Sequence, residues 1–386
     1  MAEAEEQEKK RFDKVKLTKE QSMLQGVSFH ASDTVVTAAG PRVVIFGGQR
    51  SGLSDECWVY EPTGDGWTQC YRETEQSPWP GPRTQATLCA IGAEPQTRAL
   101  LFAGYVMNIG AQSDVWAIDM TVDIGEVSAA WTPCTCSGTP PTERYGHSAT
   151  TLGAMMVVFG GQADKIQYND VHVLATGNYE WSQPAVSGVP PSVRTAHLAL
   201  ALPKQKGKIL IHGGFNRIDR CYSDAFLLAC DGASAAWEPL AFDVSEKDKT
   251  PARAQHAGAM VAGGKYGYIF GGYDGAKNLQ DLLLFSIDTK VGPVIRDVAA
   301  GPAPEPRCRH SCHAVGDSLV VLGGYDGTKP WTGDVWTADI SDAAATLAKL
   351  STAPSSPQRR QSSLNRRTSS GNMEEGKTEE EETGGE

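Results

Sequence analysis

Six times along this chain a short apolar run ends in a pair of small residues. The runs are Val43-Val44-Ile45-Phe46-Gly47-Gly48, Leu100-Leu101-Phe102-Ala103-Gly104, Val157-Val158-Phe159-Gly160-Gly161, Ile209-Leu210-Ile211-His212-Gly213-Gly214, Tyr268-Ile269-Phe270-Gly271-Gly272 and Val320-Val321-Leu322-Gly323-Gly324. The pairs are separated by 56, 57, 53, 58 and 52 residues. A period of that length and regularity means one supersecondary unit copied six times, each unit burying its apolar faces against the next.

The surroundings of each pair repeat as well. Within ten residues an acidic residue opens a second apolar run: Glu56, Asp114, Asp170, Asp224, Asp281 and Asp334. A tryptophan follows in four units, at Trp67, Trp131, Trp181 and Trp237. A proline-rich turn and an arginine then lead into the next unit, at Arg83, Arg144, Arg194, Arg253 and Arg307. Four of these arginines stand three residues before a histidine, namely His147, His197, His256 and His310. In the first unit Val27 takes the arginine's place, three residues before His30.

Taken together, these residues resemble the kelch motif over roughly residues 12 to 350. Ala103 replaces one glycine, Ala86 one histidine, and the fifth unit has no tryptophan. The resemblance implies an all-β fold, a six-bladed β-propeller with four-stranded antiparallel blades around a central channel. The chain then divides into a flexible acidic N-terminus over 1–10, the propeller over 11–350, and a disordered tail over 351–386.

Elementary chemistry points the same way. Runs of four to six β-branched and aromatic residues bounded by Gly, Pro, Asp and Asn are too short for helices and read as buried strands. Glycine at the end of such a run lets the backbone take positive φ beside an adjacent chain. The tryptophans, each burying on the order of 200 Å², read as wedges between blades. Phe12 lies fifteen residues before Val27, in the register of the tryptophans, so Arg11-Phe12-Asp13-Lys14-Val15-Lys16-Leu17 is the favoured outer strand of the last blade. Closure hides a strand edge that would otherwise recruit other chains. The competing closure uses Thr346-Leu347-Ala348-Lys349-Leu350.

Composition narrows the setting. Forty-one glycines and 22 prolines in 386 residues suit a turn-rich repeat fold. No apolar stretch reaches membrane-spanning length, and the acidic start carries no signal-peptide core, so a cytoplasmic protein without membrane insertion is expected. Nine scattered cysteines fit reduced thiols. The group Cys308-Arg309-His310-Ser311-Cys312-His313 lacks the second cluster that a zinc site wants, and no metal or other cofactor is expected. A net charge of −11 with no basic stripe in the repeats argues against nucleic acid.

The recurrent histidines read as structural, since repetition by symmetry favours a structural hydrogen bond over chemistry. The tyrosyl ligand set of galactose oxidase-like enzymes is not evident, the Glu-x-x-x-Asp-x-x-x-His motif of plant specifier proteins does not occur, and the export signal of sialic acid mutarotase-like proteins is not seen. No catalytic residue is assigned. A metal-dependent or sugar-converting kelch enzyme with its site in the channel is the alternative.

The resemblance favours a protein-interaction scaffold or adaptor. It places the loops after the small-residue pairs and those bearing the leading arginines on one docking face. That face would present Arg83, Arg144, Arg194, Arg253 and Arg307 with Gln49, Tyr105, Gln162, Phe215, Tyr273 and Tyr325. Arginine and tyrosine are enriched at interface hot spots, and the arginines would suit an acidic or phosphorylated peptide. The competing reading has several arginines bonding loop carbonyls and fixing blade geometry. The tail carries Ser356-Pro357 and two Arg-Arg-x-Ser sequences ending at Ser362 and Ser369, three candidate sites for a protein kinase. With fewer than thirty residues before the first repeat, the layout is similar to stand-alone kelch proteins of the Rab9-effector type.

Overall fold

The computed structural model describes residues 12–14 and 26–346, apart from 39, 63–65, 93–97, 124–125, 219, 243–249, 262, 288–293, 299–302, 329–332 and 345. Six antiparallel sheets follow one another as the blades of a propeller. In blade 1 the strands run outward from the axis as Ala31–Thr37, Gly40–Phe46, Cys57–Glu61 and Gly66–Cys70. The inner strands of the other blades are Thr87–Ile91, Ser148–Leu152, Leu198–Ala201, Ala257–Met260 and Ser311–Val315.

The apolar runs form the second strand of each blade, and their alternation explains why they are apolar on both faces. Val43 and Ile45 pack with Val320 and Leu322 of blade 6. Val44 and Phe46, pointing the other way, pack with Leu88 and Leu101 of blade 2. Six apolar clusters result, one per blade-to-blade interface. A strand buried on both sides cannot alternate apolar with polar residues.

Each tryptophan joins the cluster shared with the preceding blade. Phe46 and Trp131 have ring centroids 4.8 Å apart, Phe102 and Trp181 5.1 Å, and Phe159 and Trp237 4.8 Å. In blade 5, which has no tryptophan, Ile295 of the outer strand Val294–Asp297 is buried in the corresponding cluster.

The ring closes through its N-terminus. Phe12–Lys14 pairs antiparallel with Val335–Asp339 of blade 6, Phe12 opposite Ala338. The four-stranded expectation needs one amendment. Ser137–Gly138 adds a parallel fifth strand outside Glu180–Ser182 in blade 3, and Ala185–Gly188 does the same outside Ser234–Leu240 in blade 4. Both lie in the links leading into the blade or out of the one before, which sequence alone presents as polar, proline-bounded loops. Residues 1–10, most of the alternative closing segment, and the tail with Ser356, Ser362 and Ser369 lie outside the described residues.

Removing residues 1–20 would leave Val335–Asp339 with an open edge. With a net worth of about 1 kcal/mol per hydrogen bond, stability should drop by about 1–3 kcal/mol, read as a lower melting temperature and stronger light scattering. An unchanged melt would mean that another segment closes the ring.

Candidate functional site

The turn after each small-residue pair is set by backbone conformation. Both glycines of Gly160-Gly161 have positive φ, 64° and 93°. A Cβ on Gly160 would lie 2.8 Å from the Arg194 carbonyl oxygen, and one on Gly161 2.7 Å from the His147 Cβ. Glycine is the residue best suited to so close an approach at that φ. Ala103 holds the equivalent first position at φ 58°.

The leading arginines sit beneath these turns. Arg144 donates from Nη1 and Nη2 to the two carboxylate oxygens of Asp170 at 2.8 and 2.9 Å, from Nη1 to the Gly160 carbonyl at 2.9 Å, and from Nε to the Thr142 carbonyl at 2.9 Å. Arg83 repeats the pattern with Asp114, Arg194 with Asp224, Arg253 with Asp281 and Arg307 with Asp334. All five arginines are at most 4% exposed. This corrects the expectation that they meet a partner: each guanidinium spends its donors inside its own blade, on loop carbonyls as in the competing reading and on an aspartate carboxylate besides. Burial acts to raise the Asp170 pKa, but His172 and Arg144 override it and hold the carboxyl well below its ordinary range.

The arginine backbone ties blade to blade. The second glycine of each pair donates to the carbonyl of the next blade's arginine: Gly48 to Arg83 at 2.8 Å, Gly161 to Arg194 at 2.9 Å and Gly272 to Arg307 at 2.9 Å. Gly324 completes the circle on the Val27 carbonyl at 2.9 Å. The residues after the pairs, Gln49, Tyr105, Gln162, Phe215, Tyr273 and Tyr325, are half-buried at this loop end. Each forms a β-bridge with the residue following the leading arginine or Val27 of its own blade.

Nearest the axis, Phe29, Gln85, Gly146, Ala196, Gln255 and Arg309 all have positive φ between 54° and 64°. Their amides form a closed ring. Each N–H donates to the corresponding carbonyl of the blade before, from Phe29 to Arg309 at 3.0 Å around to Arg309 to Gln255 at 2.9 Å. The ring surrounds a mouth of about 140 Å³ lined by these residues and by the five repeated histidines.

Arg309 is the charged residue of the ring. Its guanidinium carbon lies 4.4 Å from the Phe29 ring centroid and 5.3 Å from that of Tyr325, and Nε donates to the Gln255 side-chain oxygen at 3.2 Å. Its Nη atoms make no hydrogen bond among the described residues. Sequence reasoning missed this residue, naming it only within the group Cys308-Arg309-His310-Ser311-Cys312-His313 weighed as a zinc site. The signal was present: aligned by repeat, the position after the bridge residue holds Phe, Gln, Gly, Ala, Gln and Arg, and a variable position on a fixed frame is where specificity resides.

The histidines line the channel behind the mouth and bond across blade boundaries. His147 Nε2 and Thr87 Oγ1 are 2.9 Å apart, His197 Nε2 and Ser148 Oγ 2.8 Å, and His30 Nε2 and Ser311 Oγ 2.8 Å. His310 Nε2 donates to the Phe270 carbonyl at 3.1 Å. Burial, seconded by nearby arginines, lowers His197 and His310 to about 3 and His30 to about 4. No group of three or more His, Cys, Asp or Glu among the described residues is arranged to hold a metal ion. Burial also pushes the Cys308 thiol up to about 11.

The Kelch-repeats domain family described as KLHDC2/KLHL20/DRC7 matches residues 32–243 and 231–370. Human Kelch domain-containing protein 3 is 30% identical over 271 residues, which are 65% of this chain and 67% of the relative. Acyl-CoA-binding domain-containing protein 4 of Arabidopsis thaliana is 27% identical over 265 residues, but these span only 38% of that protein. Among solved structures, that of YjhT superimposes with a TM-score of 0.61, covering 82% of this chain and 96% of the other at 15% identity, a likeness of fold.

Replacing Arg194 by Ala should cost about 2–4 kcal/mol in chemical denaturation, somewhat below a fully buried pair because Asp224 keeps contact with water. Acid should act on the histidines. His30, His147, His197, His212, His256, His310 and His313 all have folded pKa values lowered chiefly by burial. Below the unfolded value of about 6.5 the unfolded chain takes up protons that the folded one refuses, so their stabilisation is complete above that pH and lost as pH falls. Asp33, raised by burial to about 6, opposes this as one group against seven. Stability should therefore decline between about pH 6.5 and 4, each histidine contributing at most about 1 kcal/mol per pH unit, read as a falling melting temperature. A flat profile over that window would refute the assignment.

Proposed function

Because the chain belongs to the kelch-repeat family, we propose that it is a non-catalytic protein-interaction propeller, an adaptor or scaffold whose partner docks on the loop face around the axial mouth. The observation that carries this reading is Arg309, stacked between Phe29 and Tyr325 with its Nη donors uncommitted among the described residues. A guanidinium pre-oriented on aromatic rings loses little freedom on binding and offers paired donors to a carboxylate or phosphate. Gln49, Tyr105, Gln162, Phe215, Tyr273 and Tyr325 encircle it as half-buried contact residues. The ligand class is an acidic or phosphorylated peptide segment of a cytoplasmic protein.

Two features favour docking over catalysis in the channel. Each repeated histidine is buried with its Nε2 bonded across a blade boundary, and the lowered pKa values leave these rings poor proton carriers near neutral pH. In the tail, phosphorylation at Ser356, Ser362 and Ser369 would add about −1.5 to −2 charges each, together enough to reverse the sign of its basic stretch, giving a kinase a means of regulating the complex.

Affinity purification with mass spectrometry, comparing wild type with Arg309→Gln, tests the proposal. A stoichiometric protein partner lost from a variant with unchanged melting temperature is the expected result. Full retention of the partner would remove Arg309 from the site, and recovery of a bound small metabolite without a protein would favour an enzyme.

A further inference from the structure

The loops joining second to third strands rise from the same face as Arg309, and they differ in character around the ring. In blade 2 the hairpin between Arg98–Val106 and Gly110–Asp123 exposes Met107 and Ile109, 54% and 75%. In blade 3 the hairpin of Gln162–Ala163 and Ile166–Gln167 exposes Ile166, 62%. In blade 4 the hairpin of Phe215–Asn216 and Arg220–Cys221 exposes Ile218, 87%. The equivalent turns of blades 5 and 6 are polar: Asp274 accepts from the Ala276 and Lys277 amides, and Asp326 from the Thr328 amide.

The hairpins of blades 3 and 4 are braced against each other. Gln167 donates to the Phe215 carbonyl at 3.3 Å, the Arg217 amide donates to the Gln167 side-chain oxygen at 2.9 Å, and the Arg217 guanidinium bonds the Asp164 carbonyl. Cys221 in turn reaches the Tyr273 carbonyl. Nothing in the fold requires branched apolar side chains at the ends of braced hairpins, where water exposure gains nothing. A run of them on three successive loops marks a binding surface. The same loops carry Lys165, Arg217 and Arg220 against Asp164 and Asp219, a local excess of cations on a chain of net charge −11.

We propose that Met107, Ile109, Ile166 and Ile218 form an apolar ledge that docks a segment of a partner protein bearing large apolar side chains beside carboxylates. The inference rests on the loop-face reading above and extends it. The apolar side chains bury against blades 2 to 4, Lys165 and Arg220 meet the flanking carboxylates, and an acidic group reaches Arg309 at the mouth. Burial at the ledge supplies affinity, whereas the exposed rim charges chiefly speed encounter and set orientation.

Random dodecapeptides displayed on phage, selected on the full-length chain, supply the probe. The expected consensus sets Leu, Ile, Phe or Trp beside Asp or Glu. A synthetic peptide of that consensus should bind the triple variant I109S/I166S/I218S at least about tenfold more weakly, while the melting temperature, being governed elsewhere, moves by less than about 2 °C. Arg309→Gln separates the two proposals. Loss of binding on R309Q with none on the triple variant overturns the ledge and leaves the mouth, and loss on the triple variant alone supports the ledge and overturns the mouth. Equal binding to all three proteins, a consensus without apolar anchors, or a wild-type dimer in sedimentation that the triple variant abolishes would each overturn the ledge as a site for this partner.

Discussion

The structure depends on one joint, repeated around the ring: a buried arginine that closes its own blade with its side chain and holds the preceding blade with its backbone. Arg194 shows both actions. Its guanidinium bridges Asp224 and the Gly213 carbonyl, and its own carbonyl accepts the Gly161 amide of blade 3. The backbone action relies on the second glycine of each pair, whose missing side chain lets two backbones meet at 2.9 Å. A charge so thoroughly removed from water persists because four of its N–H donors are answered, by Asp224 and by the Ser192 and Gly213 carbonyls, a demanding arrangement that one substitution undoes.

Blade 1 departs from the rule in an instructive way. Val27 offers a carbonyl to Gly324 but no guanidinium to Glu56, whose carboxylate pairs with Arg50 at 2.9 Å and accepts from the Trp58 indole at 2.7 Å. The seam therefore keeps the backbone half of the joint and replaces the ionic half from a different direction. It is also the blade boundary where His30 with Ser311, and His313 with Ser32, bond reciprocally across chain ends some 281 residues apart.

Much of this architecture was legible in the sequence because it is periodic. The glycine pairs, the tryptophan wedges and the register of Phe12 each answer a steric need that recurs once per blade, and recurrence is visible without coordinates. The arginines illustrate what periodicity does not settle. Arg144 and Asp170 were both noted as repeated features, and each later arginine is followed by an aspartate 27 to 30 residues on. Recurrence of an arginine by itself fits an exposed binding residue and a buried brace equally, and the aspartate that recurs 26 to 31 residues further on is what tells them apart. Arg309 was hidden for the opposite reason: its position recurs but its residue type occurs in one blade only, and the apolar tips of blades 2 to 4 share no motif that repetition could expose. The parallel fifth strands escaped because pairing of two or four residues leaves no apolar alternation to read.

The six amides around the mouth all point the same way, so their peptide dipoles lie tangentially and circulate. Arrows laid head to tail around a circle sum to nothing, and this orifice consequently has no positive or negative pole of the kind a helix end presents to an ion. Its field is left to whichever side chains project from the circle, which here means a single cation. Exchanging that residue would rewrite the polarity of the aperture while leaving the girdle that carries it intact.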